Sequence, residues 1–135
     1  MLSSVPLLAI SFVLYNLGLF GVFGNGPSGD PWDTVIFSVG MMSGGVFEMT
    51  LGILMIVVAL LLFFVEIVKS TRTSNASIVD HLLSTVVFVA FLVEFLLVRG
   101  AAHPVFFTLM VISLIDVLAG FSVSLRSAGR DVNLN

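Results

Sequence analysis

Four apolar runs, each long enough to cross a lipid bilayer, constrain this chain more than any other feature. They cover residues 4–23, 46–69, 78–98 and 104–126. A run of roughly 20 residues, rising ~1.5 Å per residue as a helix, crosses a hydrocarbon core of ~30 Å. Spanning strands would be about half as long and would alternate in polarity. The sequence therefore predicts an all-α fold, a four-helix transmembrane bundle forming one domain over residues 1–135. Composition agrees: 59% of residues are hydrophobic, 10% are charged and the mean hydropathy is +1.21. Soluble domains carry about 25% charged residues, and a chain this poor in charge could not cover its surface in water.

The ends of the runs carry helix punctuation. Ser77 and Asp80 have capping-box spacing at the start of the third run. Pro104 after His103 suits a first helical position, and Arg99-Gly100 suits a helix end. The short polar connector from Ser70 to Ala76 predicts that the second and third helices are antiparallel neighbours. No Lys or Arg precedes the first run and no small-x-small cleavage pattern follows it, so it is expected to be a retained helix.

Residues 24–45 are the least regular. Gly24-Asn25-Gly26-Pro27-Ser28-Gly29 is turn chemistry, and Asp30-Pro31-Trp32-Asp33 resembles a capped helix start. One helix from there to Lys69 would be ~55 Å long, too long for a bilayer. A break near Gly44-Gly45 is expected, with residues 32–43 forming a short interfacial or re-entrant segment before the second helix and Trp32 at headgroup level.

Cations set the expected orientation. Lys69, Arg72, Arg126 and Arg130 fall at one side and Arg99 at the other, with Asp30 and Asp33. The positive-inside rule then places both termini and the 70–77 loop in the cytoplasm, in a cytoplasmic (inner) membrane. The Asn75-Ala76-Ser77 sequon would go unused on that side.

Ionisable groups inside a bilayer cost roughly 2.5–3.5 kcal/mol each on insertion scales, which makes them functional candidates. On the cytoplasmic side Glu66, Asp80 and His81 are expected beside Lys69 and Arg126, as structural ion pairs or as a point where protons come in. On the outer side Glu48 and Glu94 are expected near Arg99 and His103, as ion pairs or as an acidic vestibule for cations. Asp116 falls about 12 residues into the fourth run, far from either end, with Ser113 and Gly120 on its helical face. Asn16, next to Tyr15, is its expected partner. Glu48 and Glu66 would share one face of the second helix, and Asp80, Ser84 and Glu94 one face of the third. Gly40, Gly44 and Gly52 suggest a close-packing surface.

Several chemistries are not encoded. Cysteine is absent, so disulfides and thiolate chemistry are excluded. The net charge of -3 offers no basic patch for nucleic acid. No His/Glu spacing suits a metal or haem, no glycine loop with a phosphate-binding lysine is present, and no cofactor or catalytic set is expected. The primary expectation is a non-catalytic accessory or interaction subunit, partnered by the lipid bilayer and by a homo-oligomer or larger membrane complex. The alternative is a small proton- or cation-linked transporter or channel acting as a homo-oligomer.

Overall fold

The computed structural model describes residues 5–71 and 75–134, with the backbone alone at residue 70 and over 75–77 and 123–134. Four α-helices account for most of it: α1 (Leu8–Leu19), α2 (Leu51–Ser70), α3 (Asn75–Leu97) and α4 (Pro104–Leu134). Between α1 and α2 lie a 3-10 turn (Pro31–Asp33) and two antiparallel strands, β1 (Val35–Gly40) and β2 (Val46–Thr50); a second 3-10 turn (Arg99–Ala101) joins α3 to α4. Three segments, Leu51–Lys69, Ile78–Leu97 and Pro104–Ser122, are long and apolar enough to cross a membrane. The chain is a membrane-embedded protein on that basis.

The first apolar run departs from expectation. Its helix has 12 residues, ~18 Å, and stops at Leu19. Gly21 adopts φ +87°, the Val22 N–H bonds the Leu17 carbonyl and the Gly21 N–H bonds the Gly18 carbonyl. That is a Schellman stop, which needs a residue free to enter the left-handed region. Hydropathy runs on to Phe23, but the backbone has already turned.

The second run also starts later than expected, because Val46–Thr50 is strand. The whole 35–50 segment is a β-hairpin, replacing the expected interfacial or re-entrant segment. Phe37 faces Met49, Ser38 faces Glu48, Val39 faces Phe47 and Gly40 faces Val46, with a bulge between Val35 and Phe37. At the tip the Met41 N–H bonds the Gly45 carbonyl (2.7 Å) and the Gly44 N–H bonds the Met41 carbonyl (3.0 Å). Gly44 adopts φ +91°, giving a three-residue connection that matches hairpin twist. The expected break at Gly44-Gly45 is therefore a hairpin turn. Gly40 and Gly44 belong to this hairpin and offer no helix-packing surface. Thr50 then caps α2, its Oγ1 accepting from the Ile53 N–H at 3.2 Å.

Each helix buries one stripe: Leu8, Ser11, Tyr15 and Gly18 on α1; Gly52, Met55, Ala59 and Glu66 on α2; Asp80, Ser84 and Phe91 on α3; Val105, Leu109, Ile112 and Asp116 on α4. These three- and four-residue steps are the signature of one face of an α-helix. The large apolar residues on the other faces remain exposed, as lipid contact allows. α4 is the hub, packing mainly on α2 and α3, whereas α2 and α3 barely touch. The expected adjacency of α2 and α3 is thus corrected: α4, whose inner face carries Ser113 and Gly120, fits between them, and their connector lies partly outside the described residues.

An aromatic layer holds the middle together. Trp32 stacks on Tyr15 (centroids 4.6 Å apart), Tyr15 meets Phe106 edge-on (4.8 Å), Phe106 meets Phe91 (5.3 Å) and Phe91 meets Phe12 (5.0 Å). Aromatic pairs at these separations add about 0.5–1.5 kcal/mol each beyond the area they bury. Trp32 is 3% exposed, so it is a core residue and not an interfacial anchor.

Candidate functional site

Polar side chains gather at the two ends of the bundle. At one end Lys69, in the last turn of α2, reaches three acceptors: Glu66 Oε1 (3.0 Å), Asp80 Oδ1 on α3 (3.2 Å) and the Val5 carbonyl (2.6 Å). Glu66 Oε1 also accepts the Leu7 backbone N–H at 2.6 Å. A helix start leaves N–H groups without intrahelical partners, and a carboxylate there satisfies one and complements the positive helix end. The clasp thus ties α1, α2 and α3 together. Glu66 is 2% exposed, so it costs a great deal to bury unless these bonds are kept.

Asp116 belongs to the same end. It is buried, lies near the buried Ser84 of α3, and is within electrostatic reach of Glu66, Asp80 and Lys69. Its expected partner, Asn16, is elsewhere. α1 is short and its start is pinned at Glu66, so Tyr15 and Asn16 fall at the opposite end. Asn16 donates to the Phe12 carbonyl (2.9 Å) and lies near Glu94, and the Tyr15 hydroxyl donates to the Gly100 carbonyl (2.9 Å). Ser113 is buried beside Asp116 on α4, as the helical spacing implies.

His81 does not sit between carboxylates. Its ring faces α4, stacked on Phe121 at 6.3 Å and so close to Gly120 that a Cβ there would come within 2.8 Å of Nδ1. The side chain of Arg126, expected in this cluster, lies outside the described residues, as do those of Arg130 and Ser77 and all of Arg72. α3 begins at Asn75, so Ser77 is already inside the helix and the expected capping box is not its start. Asp80 instead bonds Lys69.

At the hairpin end, His103 is the pivot. Its Nδ1 accepts the Val105 N–H (3.0 Å), which leaves Nε2–H to donate to Asp30 Oδ2 at 2.6 Å. Asp30 Oδ1 accepts the Trp32 N–H (3.1 Å), capping the 3-10 turn. One histidine thereby caps α4 and fixes the loop that carries Trp32 over the bundle. Gly52 makes this fit possible: a Cβ there would meet Val105 Cγ2 at 2.9 Å and the Trp32 carbonyl oxygen at 3.0 Å. Ser28 and Asp33 hydrogen-bond within the same loop.

The expected outer vestibule does not assemble. Glu48 is exposed on β2 opposite Ser38, so it shares no helix face with Glu66. Glu94 lies near Asn16 with its Oε2 buried and unpartnered, His103 pairs with Asp30, and Arg99 is exposed without an ion pair among the described residues. Among the described residues, the Tyr15–Phe106–Phe91–Phe12 layer, with Met55, Ala59 and Leu109, lies between the two polar ends. Among the described residues no group of three His, Asp or Glu side chains is placed to hold a metal ion. An apolar cavity of about 190 Å³ between α1, α2 and Trp32 is lined by Leu14, Phe23, Leu51, Leu54, Met55 and Val58.

Sequence reasoning missed the hairpin altogether. One face of the hairpin carries exposed Phe37, Val39 and Phe47 with Met49 half-buried, and the other carries Ser38, Glu48 and the exposed Val46. Every residue of β1 is exposed, and Phe37 keeps 46% of its surface uncovered. Comparison with protein-family models, curated proteins and solved structures finds no match for this chain.

Proposed function

We propose that this protein is a non-catalytic interaction subunit of a membrane assembly, with the β-hairpin as its docking element and with the Lys69 end and both termini in the cytoplasm. The uncovered apolar face of the hairpin is the observation that carries this reading. A two-stranded hairpin left largely exposed by the described residues is marginally stable, and a contiguous apolar face outside the bundle marks an interaction surface. It cannot be sunk in hydrocarbon, where its free strand edges would leave backbone groups unsatisfied. The aromatic layer between the two polar ends favours the same reading, since it separates the groups that act as clasps. Purification in mild detergent, with the partner quantified by mass spectrometry, tests it. A stoichiometric partner should be retained by the full chain and lost when 35–50 is replaced by a Gly/Ser linker. Equal recovery by both, or recovery of the lone chain, contradicts the reading.

A second reading, a proton-linked transporter working as a homo-oligomer, is favoured by one observation: Glu66 and Asp80 are buried against the Lys69 ammonium, with buried Asp116 in electrostatic reach of them. It requires that reconstituted vesicles carry a proton-dependent flux and that Asp116→Asn removes the flux while the protein stays folded.

A further inference from the structure

We propose that the apolar cavity between α1, α2 and Trp32 holds one acyl chain of a bilayer lipid, from the leaflet on the hairpin side. This does not rest on the docking role of the hairpin.

Position places the cavity in hydrocarbon. Leu51–Lys69 is 19 residues long. As a helix it measures ~28 Å, close to the ~30 Å of a hydrocarbon core, so Leu51 lies near one boundary. The cavity runs along the first two turns of α2 as far as Val58, within ~11 Å of that boundary and so inside one leaflet. It exists because α1 stops at Leu19. The chain turns at Gly21, and Phe23 folds back to meet Trp32 edge-on at 6.5 Å instead of continuing beside α2. Gly18 seats the indole firmly, since a Cβ there would come within 2.5 Å of Trp32 Cη2.

Chemistry selects the occupant. Every lining side chain is apolar except for the Trp32 indole N–H, and Nε1 is itself wholly covered. The cavity therefore offers no hydrogen bond. An ordered water needs roughly two to four polar partners, and a quinone ring or a lipid headgroup would leave its polar atoms unsatisfied there. A hydrocarbon chain loses nothing. Apolar cavities of ~150 Å³ stay dry and take up apolar ligands. This one measures about 190 Å³. Leu54 and Phe23 in its wall are 38% and 39% exposed, so the cavity reaches the bundle surface beside the apolar span, where acyl chains are the solvent. Left empty, its lining would forfeit dispersion contacts, and the bilayer supplies the atoms that restore them.

The test uses the full chain in phosphatidylcholine vesicles containing a small fraction of phosphatidylcholine with a diazirine in one acyl chain. After irradiation, adducts are mapped by mass spectrometry. Val93 and Phe107, 48% and 49% exposed within four residues of the same ends of α3 and α4, report contact with bulk lipid at matched depth. A held chain predicts a several-fold excess of adducts on Leu14, Met55 and Val58 over Val93 and Phe107, although Met55 is only 5% exposed. Val58→Phe, or Leu14→Phe from the opposite wall, should remove that excess and leave Val93 and Phe107 labelled as before, with size exclusion showing a folded protomer. Labelling that follows exposure, with Val93 and Phe107 ahead, overturns the proposal, as does an excess that survives both filling variants. Cavity residues left unlabelled while Val93 and Phe107 react would mean that protein fills the space, and also overturns it.

Discussion

Lys69 is the residue on which the cytoplasmic-side clasp depends. It alone among the described side chains offers a cation to Glu66 and Asp80, and it also holds the Val5 carbonyl. Removing one partner of a buried ion pair strands the others, at a cost of about 3–5 kcal/mol. Lys69→Met should therefore lower stability by about that much in a denaturant titration in detergent, and Glu66→Gln should cost less because an acceptor remains for the Leu7 N–H. At the other end, Gly52→Ala should cost about 1–3 kcal/mol by forcing Trp32 and Val105 apart. Tyr15→Phe should cost about 1 kcal/mol by removing the hydroxyl bond to Gly100. The costly polar residues could be read from the sequence as types, because charge in an apolar run is conspicuous. Their partners could not. Asp116 was matched to Asn16 by counting residues from helix ends, and the count failed because α1 is shorter than its apolar run.

At the scale of elements, helix periodicity carried most of the legible information. α3 lies within three residues of where hydropathy puts it and Pro104 opens α4 as expected, whereas α2 starts at Leu51 and not at 46, and α4 continues to Leu134, past the expected end at 126. The hairpin was not found, although its signals are present: alternation in Phe37-Ser38-Val39 and Phe47-Glu48-Met49, and a glycine pair at the turn. A hydrophobic strand adjoining a longer hydrophobic helix merges with it in any hydropathy reading, and the glycines could equally suit helix packing. The stop of α1 was hidden in the same way, with Gly21 inside an apolar stretch. Thr50 is the one side chain that marks the strand-to-helix boundary. Thr50→Ala should cost about 1 kcal/mol and increase hydrogen exchange in the first turn of α2, leaving α3 unchanged. His103→Ala should likewise raise exchange at Trp32 and Val105 together, since one ring bonds both ends of that link.

For the whole molecule, the organising feature is a bundle built around α4, with polar clasps at both ends, an aromatic layer between them and a hairpin projecting from one end. Its membrane character was legible from composition and run length alone. The surface through which it acts was not, because exposure of an apolar strand becomes visible only once the bundle leaves it uncovered. The docking role requires that hairpin to stand in water on the side opposite Lys69. Labelling with a membrane-impermeant thiol reagent measures this directly, using Ser43→Cys at the tip and Ser70→Cys at the end of α2. Ser43→Cys should react in intact cells, and Ser70→Cys only after the membrane is opened. Labelling of both from the same side, or no labelling of Ser43→Cys under either condition, contradicts the account.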